Sequence, residues 1–131
     1  ETMGIWDHIE KLKHSKSKLP NGASMIIEPT SAFVAVDVNT GNDFSLSAGL
    51  KANLAVAKEL PNQLSLRGLG GQIIIDFAPS PKKDRKLIET ALNSSFRKGK
   101  IDTVVVGWTT LGNFELQRKR ERIPLSELLQ D

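Results

Sequence analysis

Two short apolar runs, residues 32–38 and residues 72–77, do most to limit what this chain can fold into. The first reads Ala-Phe-Val-Ala-Val-Asp-Val and the second Gln-Ile-Ile-Ile-Asp-Phe, with no turn residue inside either. Such β-branched runs are strands, and an unbroken one such as Ile73-Ile74-Ile75 suits a buried strand of the kind found in parallel sheets. Between them, Leu46, Leu50, Leu54 and Ala57 recur at the spacing of an amphipathic helix. Pro61 is expected to kink or end that helix, because it has no N–H to donate and its ring crowds the preceding turn. Gly68, Gly70 and Gly71 lead into the second strand, and since they precede a strand they are backbone devices and not a phosphate loop. Ser80-Pro81 then starts a second helix as N-cap and first-turn proline, with Leu87, Ile88, Ala91, Leu92 and Phe96 as its buried stripe and Gly99 as its stop. Residues 103–108 and 113–119 are a further strand pair across a turn containing Gly112. A short helix over Ile5, Trp6, Ile9 and Leu12, and a hairpin turning at Asn21-Gly22, come before all of these.

Repetition of strand, helix and strand predicts an α/β fold, with a mixed, largely parallel sheet in the order β-α-β-α-β-β. At 131 residues the chain is one domain, 1–131, with room for a single core. Absence of cysteine excludes disulfides and thiolate zinc sites, and His8 and His14 are too few for a histidine-only metal site. No membrane span or signal peptide is indicated, so the expected location is cytoplasmic. The net charge of +3 is unevenly spread: residues 82–131 hold eleven basic and seven acidic side chains, an excess of +4. That asymmetry suits a polyanionic partner, although a solvated helix face and a charged tail would also produce it.

Chemistry concentrates on the two strand ends. Asp37 and Asp76 close consecutive strands, and if those strands are parallel neighbours their carboxylates converge at the edge where open α/β sheets bind ligands. Two hard oxygen donors on rigid strands suit magnesium, which keeps most of its waters and takes phosphate oxygens in its remaining positions. Asn39 shares a strand face with Asp37 and could orient it or donate to a phosphate. Aspartate also commonly begins turns, so spacing alone leaves both readings open.

A family resemblance weighs in here. Ile26-Ile27-Glu28-Pro29-Thr30 followed by Val34-Ala35-Val36-Asp37-Val38-Asn39-Thr40-Gly41 resembles the strand of the ribonuclease E/G family that runs into its first metal aspartate. Asn53-Leu54, Ala57, Glu59, Gln63-Leu64, Leu66-Arg67, Leu69-Gly70-Gly71 and Ile73-Ile74-Ile75-Asp76-Phe77 are similar to its next helix and second metal strand, and Leu111-Gly112, Glu115-Leu116, Arg118 and Arg120 to its closing strand pair. The likeness runs from about Trp6 to Arg122. It implies a DNase I-like subdomain in which Asp37 and Asp76 bind Mg2+, with Asn39 hydrogen-bonded to Asp37. It also implies hydrolysis of phosphodiester bonds in single-stranded RNA, with Arg118 and Arg120 facing that RNA.

Departures from the family pattern accompany the likeness. Residues 40–48 form a shorter loop without a basic side chain, Ala78-Pro79 stand where a further acid is usual, and Thr109-Thr110 replace an arginine. The family's S1-type RNA-binding domain, its 5′-end sensor, its RNase H-like subdomain and its zinc-sharing cysteine pair are not in this sequence. Contacts with such domains, or a homo-oligomer, are therefore expected of an active form, and weak cleavage of the segment alone. A non-catalytic RNA-binding or assembly module that kept the fold is the alternative. Trp6 and Trp108 read as packing residues, and Lys82, Lys83, Arg85 and Lys86 as a solvated helix start, although their charge opposes the helix dipole.

Overall fold

Alternation of side chains along the strands decides the layering. The computed structural model describes residues 15–120 except 44 and 100. The helix expected around Ile5, Trp6, Ile9 and Leu12, both histidines, and the tail from Arg122 lie outside the described residues. In chain order the elements are β1 (Lys16–Lys18), a 3-10 turn (Pro20–Gly22), β2 (Ser24–Pro29), β3 (Val34–Asn39), α1 (Leu46–Leu66), β4 (Gly71–Asp76), a second 3-10 turn (Lys82–Asp84), α2 (Arg85–Arg97), β5 (Thr103–Trp108) and β6 (Phe114–Arg118). The strands make one mixed sheet in the order β1-β2-β3-β4-β6-β5.

One face carries Met25, Ile27, Val34, Val36, Val38, Ile73, Ile75, Phe114 and Leu116, all buried in a single core with α1 and α2. Their strand neighbours Ile26, Ala35, Asp37, Asn39, Gln72, Ile74, Asp76, Glu115 and Gln117 face the opposite way and are half-buried or exposed. Both helices therefore lie on one side of the sheet, and the aspartates open onto the other.

The sheet is mixed as expected, but it is not largely parallel. Among the described strands β3–β4 is the one parallel neighbouring pair; the other four pairings are antiparallel. The reason is insertion. The β4–α2–β5 crossover does leave β5 pointing the same way as β4, but β6 returns between them and pairs antiparallel with both. Periodicity reports strand and helix, whereas adjacency depends on which edge the last strand takes.

Helix α1 differs from expectation in two ways. It continues through Pro61 to Leu66, because the fully buried Leu60 and Leu64 on either side hold the turn against the core. Burying each such side chain contributes ~1.5–3 kcal/mol, enough together to offset a lost backbone hydrogen bond. Its buried stripe is also rotated from the leucine spacing, comprising Gly49, Ala52, Asn53, Val56, Ala57, Leu60 and Leu64, while Leu46 is 55% exposed. In α2, Ile88, Leu92 and Phe96 are buried as expected but Leu87 is half exposed. Ser80 is not its N-cap: a 3-10 turn intervenes, and the Ser80 hydroxyl instead meets Asn53 Nδ2 at 3.5 Å.

Rotation of α1 brings Gly49 against the backbone after β4. A Cβ at Gly49 would lie 1.9 Å from the Pro79 carbonyl oxygen. Alanine normally stabilises a helix interior by ~1 kcal/mol relative to glycine. Here Gly49→Ala is expected to lower the stability measured by urea unfolding; a gain would show that the helix and the 78–80 segment are not in close contact.

Candidate metal and nucleic-acid site

Asp37 and Asp76 are register partners in the parallel β3–β4 pair. Neighbouring strands lie about 4.8 Å apart and in-register side chains point to the same face, so the two carboxylates stand side by side on the open face. Burial, and then the charge of Asp76, raise the Asp37 carboxyl above its ordinary value; the Val38 N–H opposes the shift and Glu28 adds to it. Like charges held this close leave an arrangement that a cation would relieve.

The segment C-terminal to each aspartate holds it in place. Val38 and Asn39 stay paired with Met25 and Ser24, which carries β3 past Asp37 in extended form. The Asn39 Oδ1 accepts the Gly41 N–H at 2.7 Å, so the side chain builds the turn out of β3. Its expected hydrogen bond to Asp37 is not among those of the described residues. The loop from there to α1 is fixed by Asp43, which accepts the Ser45 N–H at 3.0 Å, and by Ser45, which caps α1 through the Ala48 N–H at 3.2 Å. Hydrogen bonds from the Ser45 N–H and then the Ser45 hydroxyl lower the Asp43 pKa.

Beyond Asp76 the chain is clamped to α1. Asn53 is fully buried, its Oδ1 accepting the Ala78 N–H and its Nδ2 donating to the Ala78 carbonyl, both at 2.9 Å. This residue and Gly49 position the second aspartate, a role that the sequence reading does not give to either. A polar side chain on the buried stripe of α1 is the signal that could have revealed it, but the leucine spacing points to another face.

Phe77, Trp108 and Phe114 cluster at the same end of the sheet, with Trp108 and Phe114 edge to face at 5.0 Å. The Arg85 guanidinium lies 4.6 Å from the Trp108 ring centroid. Trp108 is thus a packing residue, as its pattern predicts.

Arg118 and Arg120 are not brought to the aspartates. Arg118 pairs with Gly71 and Thr103, at the beginnings of β4 and β5 and so at the opposite end of the strands from Asp76. It is 5% exposed, donates from Nη2 to Ser65 Oγ at 2.7 Å and sits 5.8 Å from the Phe96 ring centroid. Expected to face RNA, it is instead built into the junction of α1, α2 and β6. Arg120 is exposed but lies over Gly71, where a Cβ would come within 2.8 Å of its Nη2.

No group of three or more His, Cys, Asp or Glu residues that could hold a metal occurs among the described residues. The donor set is the carboxylate pair, which fits an ion that completes its shell with water and substrate oxygens. No described helix is long and apolar enough to cross a membrane.

A family model for the ribonuclease E/G family matches residues 1–121. Ribonuclease G of Escherichia coli is 33% identical over 134 residues, covering 95% of this chain and 27% of that protein. Ribonuclease G of Haemophilus influenzae is 32% identical, covering 100% of the chain and 28% of its own length. Ribonuclease E of Synechocystis is 40% identical over 116 residues, covering 84% and 17%. The chain therefore spans little more than a quarter, or less, of the curated relatives it resembles.

The raised Asp37 pKa has a stability consequence. Its charged form is disfavoured in the fold, so at neutral pH it subtracts stability, and the deficit disappears as the pH falls through its raised pKa into the ordinary carboxylate range. In metal-free buffer Asp37→Asn should have a higher thermal midpoint than the parent at neutral pH, and the two should converge on acidification. A constant difference across that window would mean that the fold does not disfavour the charged form of Asp37.

Proposed function

Since the chain belongs to the ribonuclease E/G family, we propose that it is the catalytic domain of a magnesium-dependent endoribonuclease acting on single-stranded RNA, with Asp37 and Asp76 as metal ligands. The observation that carries this reading is the in-register pairing of the two carboxylates at the ends of adjacent parallel strands. When bound, magnesium supplies activation of water and neutralisation of charge developing on the phosphate. The chain's own residues provide the rest. Rigid strands fix the carboxylates, Asn53 prevents the exit of β4 from moving, and Asn39 holds the turn beside Asp37. The open side of the sheet leaves an RNA strand free to approach both carboxylates.

One observation favours the alternative of a non-catalytic RNA-binding module. Residues 40–48 carry no cation and Thr109-Thr110 flank the same edge, so neither of these two segments offers a cation to a phosphate. Positioning contributes several kcal/mol to such reactions, and the RNA-handling domains expected beside this one lie outside this sequence.

Asp37→Asn and Asp76→Asn should each lower magnesium-dependent cleavage of single-stranded RNA by roughly 10²-fold or more, the scale of removing a group that stabilises transition-state charge. Asn39→Ala should cost about 10–100-fold, as expected of a residue that positions a ligand. Isothermal titration with magnesium separates the readings: parent protein that binds the ion and RNA but does not cleave would favour the non-catalytic module. Cleavage undiminished in either aspartate variant would remove the metal assignment.

A further inference from the structure

We propose that Lys82, Lys83, Arg85 and Lys86 form a cationic patch that holds an RNA strand beside the Asp37–Asp76 edge, an inference that rests on the endoribonuclease reading above. The patch sits in the 3-10 turn and first turn of α2, immediately after the segment that leaves β4 at Asp76. That segment is pinned at Ala78 by Asn53 and passes close against Gly49 at Pro79. A second tie is Arg85, stacked on Trp108. Trp108 pairs with Phe114, and Phe114 pairs with Ile75, the residue before Asp76. Both routes place the patch at the carboxylate end of the sheet but on the face that carries the helices, so a strand held there meets the aspartates by crossing that end.

Charge gives the patch its character. Four cations and one acid, Asp84, occupy five consecutive positions. Lys82, Lys83 and Lys86 are exposed, and no ion pair joins them to any described residue. Their charges also oppose the dipole of α2, so the fold itself does not require them. A polyanion would offset both unfavourable terms.

The aspartates create the complementary need. Two carboxylates side by side repel phosphate, so a strand delivering one phosphate to them has to be gripped through its neighbours. Arg118 is buried at the far end of the strands and Arg120 lies against Gly71 there, so neither meets that need. Arg85 adds geometry to charge, since its planar guanidinium is oriented by the indole ring and keeps a fixed donor fork. The lysines serve as point charges along the backbone and carry no sequence preference.

The test is binding of a short fluorescent single-stranded oligoribonucleotide, followed by anisotropy in EDTA over a range of salt concentrations so that cleavage cannot intervene. The whole chain is compared with Lys82→Gln/Lys83→Gln/Lys86→Gln and with a variant of equal charge loss elsewhere, Lys58→Gln/Lys98→Gln/Lys119→Gln. Removing three single-strand contacts should flatten the slope of log K against log salt by roughly two units, at about 0.7 per contact. The control should keep nearly the parent slope, and a Lys→Arg version of the patch should restore it. An unchanged slope in the patch variant, equal losses in both variants, or competition by polyglutamate as effective as by RNA of the same charge would each overturn the proposal. Parallel cleavage assays keep the two readings apart. If the slope is unchanged while Asp37→Asn abolishes cleavage, the patch is wrong and the catalytic reading stands; if the slope falls while Asp37→Asn and Asp76→Asn cleave normally, the patch stands and the metal assignment falls.

Discussion

Two hydrogen bonds made by one buried amide organise the carboxylate end of this molecule. Asn53 satisfies both the N–H and the carbonyl of Ala78, two residues beyond Asp76, from the inner face of α1. Buried backbone polar groups need partners, and a segment leaving a sheet has lost its ladder, so the amide replaces what the strand no longer provides. Helix α1 is also the connection from β3 to β4. The same helix that comes after Asp37 in sequence therefore fixes the path of the chain after Asp76, and Gly49 permits the approach by having no side chain.

With those exits held, the electrostatics become intelligible as a division between the two ends of the strands. At one end the acids converge, and burial and then the charge of Asp76 push the Asp37 pKa up. At the other, arginine serves packing: Arg118 contacts Ser65 and Phe96. Charge repulsion at this edge comes at a cost in stability. Rigid core strands beneath it keep the carboxylates from relaxing apart.

The elements are legible in the sequence because each depends on near neighbours. Residues around Val36 and Ile75 read as strands from composition alone, and Asn21-Gly22 marks the first hairpin, although Pro20 turns the expected tight loop into a 3-10 turn. Details that depend on distant partners are not legible. The buried stripe of α1 follows Asn53 and Val56 instead of Leu46 and Leu50, because a sheet on one side and the 78–80 segment at one end determine which face turns inward. Arg118 looks like an exposed cation in the sequence because nothing in the alternation of β6 shows that α1 and α2 cover that position.

By itself, the sequence determined which segments are strands and helices, that two of those strands end on aspartate, and that the chain resembles the ribonuclease E/G family. These are local properties, set by side-chain period, turn chemistry and motif. Tertiary structure alone decided that β6 enters between β4 and β5, that Asp37 and Asp76 are in register, that Arg118 is buried, and that the start of α2 lies at the carboxylate end. Strand adjacency and helix rotation are settled by contacts between residues far apart in the chain, where the free energy of burying one face against another outweighs any local preference.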